Sequence, residues 1–113
     1  MEDKYCRVIS IQDAIDAGAP ADGNLASNLF SHGSLEVEWY APAGEDRQSP
    51  HTRDEIYVIA RGRGEFFDGK MSRSAVPGTC IFVPAGATHR FENFSDDFAT
   101  WVFFYGPEGG ETP

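Results

Sequence analysis

The sequence predicts an all-β fold, a small antiparallel barrel of about eight strands preceded by one short helix. Three observations carry this reading. Alternating or β-branched and aromatic runs of four to eight residues recur from Leu35 to Tyr105. Turn-forming Gly and Pro punctuate them, at Arg61-Gly62, Asp68-Gly69, Pro77-Gly78 and Pro84-Ala85-Gly86. The chain has 113 residues with 41% hydrophobic content, enough for one domain with a core of its own.

The helix is expected from Ser10 to Gly18, where Ser10 caps the start and Gly18 ends it. Pro20 prevents its extension. Leu35 to Tyr40 alternates apolar and polar residues, so Val37 and Trp39 share a face. Glu55 to Ala60 is a strand closed by Arg61-Gly62, and Glu65-Phe66-Phe67 turns at Asp68-Gly69 into a returning partner that begins at Lys70. Cys80 to Val83, His89 to Glu92 and Phe98 to Tyr105 complete the set. The expected organisation is an N-terminal segment over 1–20, a barrel over 21–106 and a frayed, flexible tail over 107–113.

Charge excludes several functions. Asp and Glu number 18 against nine Lys and Arg, a net charge of -9 with no basic run. Affinity for nucleic acid comes mainly from basic neutralisation of phosphates, so no nucleic-acid partner is expected. Anionic membrane surfaces would repel such a chain, and no apolar run reaches the roughly 20 residues of a spanning helix. Met1-Glu2-Asp3-Lys4 lacks the basic-then-apolar build of a signal peptide, which points to the cytoplasm. In that compartment Cys6 and Cys80 are expected as free thiols, with Cys80 buried in the apolar run Thr79 to Val83.

His51 and His89 each sit beside turn residues at a strand end, and Glu55 follows His51 by four positions. Two imidazoles and one carboxylate make a facial metal-binding set with positions left for water or substrate. The His51–Glu55 spacing alone fits a solvated histidine beside a turn equally well. If Glu55 points inward, alternation sends Tyr57 and Ile59 inward too; if His89 does, Phe91 and Asn93 follow. Tyr57 could then supply a phenol for proton transfer or remain a core residue with a satisfied hydroxyl. Arg53 reads either as an anchor for an anionic substrate or as an exposed turn arginine.

A wider pattern sharpens this reading. Residues 78–93 run Gly78, five residues, Pro84-Ala85-Gly86, two residues, His89, three residues, Asn93. Every fixed position of the second motif of the cupin family is filled, and Ser49 to Glu55, followed by six residues and Gly62, resembles the first motif. The resemblance spans Trp39 to Phe104. It implies a jelly-roll barrel with a divalent transition metal (Fe, Mn, Ni, Co or Zn) inside its mouth. One departure stands out: Ser49 occupies the place of the first motif histidine, and the spacing from Gly44 to His51 is one residue short. The implied ligands are therefore His51, Glu55 and His89, with Gln48 as an additional oxygen donor or water in its stead.

The family contains metal enzymes, storage proteins and metal-free binding proteins, so fold alone does not select a function. The expectation is a metal-binding cupin acting on a small polar molecule, most concretely an iron-dependent dioxygenase with Tyr57 as its proton-transfer group. The alternatives are a non-catalytic binding or sensing module and a metal-dependent isomerase or lyase. Single-barrel cupins commonly pair, and outward apolar residues such as Ile56 and Val58 need cover, so a homodimer is expected.

Overall fold

The structure is a computed structural model that describes residues 5–18, 26–46 and 48–113. The expected boundary at residues 20–21, and Pro20 itself, lie outside the described residues. Helix α1 (Ile11–Asp16) is followed by β1 (Ala26–His32), β2 (Leu35–Tyr40), β3 (Asp54–Arg61), β4 (Gly64–Phe67), β5 (Ser72–Ala75), β6 (Cys80–Val83), β7 (Arg90–Glu92) and β8 (Ala99–Tyr105). Six residues are too few for a helix to stand alone. A capping box between Ser10 and Asp13 closes its first turn, and buried Ala14 packs on Trp39 and Ala99.

The strands form two antiparallel sheets, one ordered β1-β2-β8-β3-β6 and one ordered β5-β4-β7. Period-two alternation then sorts the side chains of β3. Glu55, Tyr57 and Ile59 of β3 point between the sheets, all at most 2% exposed. Tyr40, Val83, Phe91, Phe98 and Val102 join them in the main core. Asp54 and Glu55 lie opposite Tyr105 and Phe104 of β8, and Glu55 also faces Val83 of β6, so both cross-strand neighbours of this buried carboxylate are apolar.

Two expectations change, for Cys80 and Asn93, and two features were not foreseen. Val37 and Trp39 do share a buried face, but it is the outer one. Trp39 meets Trp101 edge-on at 5.0 Å beneath α1, while Tyr40, two registers of alternation from Glu36, faces the core. Cys80 is exposed, because it lies on β6, the edge strand of its sheet, and pairs with outward-facing Val58 of β3. Asn93 is exposed rather than inward: β7 stops at Glu92, and the Asn93 backbone turns to φ 50°. Its amide donates to Glu65 Oε1 at 2.6 Å, fastening β4 to the end of β7. The strand β1 was not legible, since Ala26-Ser27-Asn28-Leu29-Phe30-Ser31-His32 lacks alternation and pairs with β2 through an irregularity between Asn28 and Phe30.

The segment after β8 is bonded to the start of β3. Gly109 N–H donates to the Thr52 carbonyl at 2.6 Å, and Glu111 N–H to Asp54 Oδ2 at 2.8 Å. Ala85 N–H adds a bond to Asp54 Oδ1 at 2.9 Å, and these amides hold the Asp54 carboxyl below its ordinary pKa. Arg53 is tied as well. Its guanidinium donates to Gly106 and Ser34 carbonyls and, at 2.9 Å, to Glu36, leaving the side chain 16% exposed. It is therefore neither an exposed turn arginine nor a free anion anchor. It staples the first residues of β3 to the β1–β2 turn and to the end of β8.

Candidate metal centre

The fold brings His51, Glu55 and His89 together, with one ligand atom from each within 4.8 Å of the others. Glu55 comes from the second residue of β3, His51 from the loop before it, and His89 from the turn that Pro84-Ala85-Gly86 sets up before β7. Gly86 adopts φ 80°, a conformation that favours glycine, and its N–H donates to the His51 carbonyl at 2.7 Å. One turn thus joins the two histidine-bearing loops.

Glu55 is fully buried, and neither of its side-chain oxygens has a hydrogen-bond partner. Its Oε1 lies 3.0 Å from His89 Nε2 and 3.6 Å from His51 Nε2. His89 is 4% exposed, and its Nδ1 is 2.9 Å from the Ala87 carbonyl. That carbonyl can only accept, so Nδ1 carries the hydrogen and the Nε2 lone pair of neutral His89 is directed at Glu55. This is the tautomer and the backing bond that a metal-ligating histidine uses. Orphaned carboxylate oxygens, an oriented imidazole and a second imidazole within reach fit a divalent cation.

Tyr57, next inward from Glu55 on β3, places its hydroxyl 3.1 Å from His89 Nε2 and donates to Gln48 Oε1 at 2.8 Å. Burial, with the charge of Glu55 behind it, pushes the phenol pKa strongly upward, so the proton stays on at neutral pH. Phe66 and Phe104 add apolar wall, the latter edge-on to His51 at 5.1 Å. A cleft of about 530 Å³ between the β4–β5 hairpin and β6 is lined by His89 together with Phe66, Val83 and Lys70.

Three participants escaped the sequence reading. Asp46 accepts from the Tyr40 hydroxyl, from Gln48 N–H at 3.1 Å, from Gln48 Nε2 at 2.8 Å and from Phe91 N–H at 2.7 Å. Its only sequence signal is an Asp two residues before Gln48 in a loop, the spacing of an Asx-turn. Tyr40 was visible only as the end of an alternating strand. Glu38, on the same strand face as Tyr40, is pushed up in pKa by burial and by the charges of Glu36 and Glu55, with a bond to Asn28 opposing.

Comparison with known proteins agrees with this fold. The sequence profile of the cupin domain, Cupin_2, matches residues 37–105. An uncharacterized protein of Streptomyces coelicolor is 32% identical over 98 residues, which cover 85% of this chain and 93% of that protein. A Cupin 2 conserved barrel domain protein from Salinispora arenicola shares the fold at TM-score 0.67 and 23% identity, over 88% of this chain and 91% of its own. The DMSP lyase DddQ of Ruegeria pomeroyi superposes at TM-score 0.59 and 30% identity, over 72% of this chain and 46% of that one. This chain thus spans under half of the lyase.

The charge pair sets a pH dependence. Burial alone would lower the His89 pKa, but the bond that a protonated Nε2 makes to Glu55 at 3.0 Å, with the Ala87 carbonyl and the Glu55 charge, raises it above its ordinary value overall. In metal-free protein the protonated pair stabilises the fold fully below pH 6.5, and that contribution is lost as pH rises through the raised value. Metal requires the neutral imidazole, so its contribution grows in the opposite direction. Thermal melts in chelator should therefore fall from pH 6 to pH 8.5, and melts with added metal should gain on them over the same range. Parallel curves with and without metal would contradict this.

Proposed function

This chain belongs to the cupin family, and from that premise we propose that it is a metal-dependent enzyme acting on a small polar molecule, with His51, Glu55 and His89 holding a divalent transition metal. The observation that carries the proposal is the fully buried Glu55 carboxylate, without a hydrogen-bond donor and flanked by two imidazoles. An ion held there supplies Lewis-acid polarisation of a substrate oxygen and, if it is iron, the redox chemistry of two-histidine, one-carboxylate centres.

The residues around the centre do the rest. Tyr57 holds a proton at its hydroxyl, 3.1 Å from His89 Nε2, and is placed to give it to a substrate or take one back. Phe66 and Phe104 exclude water from one side, which strengthens the local electrostatics. The likeness to a DMSP lyase favours lyase or isomerase chemistry, in which a proton moves next to a polarised oxygen. Iron-dependent dioxygenation is the second reading, favoured by the donor set itself. A sensing module would use the same pocket without turnover.

We also propose a homodimer in the cytoplasm. The outer face of the larger sheet carries an apolar groove of about 340 Å³ lined by Phe30, Leu35, Val37, Val58, Trp101 and Phe103, with Arg7 and Ile9 at its rim. Such a face suits a second copy. Cys6 and Cys80 are both free and exposed, which suits a reducing compartment. Sedimentation at micromolar concentration should give twice the 12.4 kDa chain mass; a monomer alone would count against the pairing.

Substrate panels for elimination, isomerisation and oxygen uptake separate the reaction classes. On whichever substrate turns over, Tyr57→Phe should lower kcat by about 10²- to 10⁴-fold while metal content stays unchanged. Undiminished turnover would remove Tyr57 from the chemistry, and metal-loaded protein inert on all three panels would favour the sensing module.

A further inference from the structure

We propose that the Gln48 side-chain oxygen is a fourth protein donor at this centre, giving two nitrogens and two oxygens instead of the three nitrogens and one oxygen that a histidine at position 49 would complete. The inference rests on the metal-centre reading above and adds a ligand to it. Ser49 sits where the additional imidazole would come from, and the residue before it takes over.

The orientation of the Gln48 amide follows from its partners. Its Nε2 is 2.8 Å from Asp46 Oδ2. A carboxylate accepts and an amide nitrogen donates, so this contact fixes which end of the amide is which. Asp46 is itself held from three other directions, by the Tyr40 hydroxyl and by the N–H groups of Gln48 and Phe91. The amide oxygen consequently faces away from Asp46 and into the site, where it meets His51 Nε2 at 3.1 Å and the Tyr57 hydroxyl at 2.8 Å.

The spacing is that of neighbouring ligands. With bonds of about 2.1 Å to a divalent ion, ligands at right angles lie about 3.0 Å apart and tetrahedral ones about 3.4 Å. The measured separations are 3.1 Å for Gln48 Oε1 to His51 Nε2, 3.0 Å for Glu55 Oε1 to His89 Nε2 and 3.6 Å for Glu55 Oε1 to His51 Nε2. The carbonyl oxygen retains a second lone pair, so the Tyr57 hydroxyl can bond to it while it ligates. Exchanging an imidazole for an amide oxygen makes the donor set harder. It shifts preference toward Mn²⁺ and Fe²⁺ and away from softer or nitrogen-seeking ions such as Cu²⁺.

The test uses Mn²⁺ with chelator-stripped full-length protein, reading free Mn²⁺ by electron paramagnetic resonance and coordinated water by proton relaxation. Gln48→Ala should bind Mn²⁺ about 10- to 100-fold more weakly and carry one more coordinated water than the unaltered chain. An unchanged water count in Gln48→Ala would overturn the proposal whatever the affinity, because a residue that only orients His51 changes affinity without freeing a coordination position. His51→Ala separates the two readings. If it abolishes Mn²⁺ binding while Gln48→Ala matches the unaltered chain, the centre stands and the fourth donor falls. If His51→Ala binds as the unaltered chain does, the centre itself falls, and the fourth donor with it.

Discussion

A carboxylate removed from water, with no N–H or O–H to replace the water, costs several kcal/mol unless a cation compensates it. Glu55 is in that position on β3, a strand paired on both sides. Its cross-strand neighbours are Phe104 and Val83, which offer no donors from their side chains. What it does have nearby are imidazole nitrogens. Protonated His89 can compensate it in the metal-free protein, and a divalent cation shared with His51 and His89 can compensate it more fully. Two polar groups near Glu55, His89 and Gln48, are oriented toward the site by bonds on the side away from it.

Those backing bonds form a second layer made of loop residues. Ala87 orients His89, and Asp46 orients Gln48 while fastening the loop after β2 to the backbone of β7. The Gly86–His51 bond joins the two loops that carry the histidines. Arg53 and Asp54 gather the end of β8, the segment beyond it and the turn after Pro84 around the start of β3. Loops that would otherwise be the least ordered parts of a barrel are thereby held where donor positions must be kept within a few tenths of an ångström.

Local rules made much of this legible and left specific parts out. Residues 78–93 could be read almost completely, because the glycines, the proline and His89 act through local backbone geometry that sequence spacing records directly. The same spacing placed Asn93 on the wrong face, since its role depends on β7 ending one residue earlier. Alternation found the inward set Glu55, Tyr57 and Ile59, but it cannot say which side of a sheet is the interior, and Trp39 and Val37 turned out to be buried on the outer face, Trp39 beneath a helix. Cys80 looked buried because its run is apolar, whereas exposure depends on β6 being an edge strand. Asp46 and the tied Arg53 were invisible for a related reason: their partners lie up to 53 residues away and share no spacing rule with them.

The central claim is that the Glu55 carboxylate is compensated by a metal ion, and elemental analysis of protein purified without chelator or added metal tests it most directly. The account predicts close to one divalent transition metal per chain, removed by chelator with a fall in melting temperature at pH 8 and restored on reloading. Protein that contains no such metal, and whose melting temperature at pH 8 is indifferent to both chelator and added metal, would contradict it.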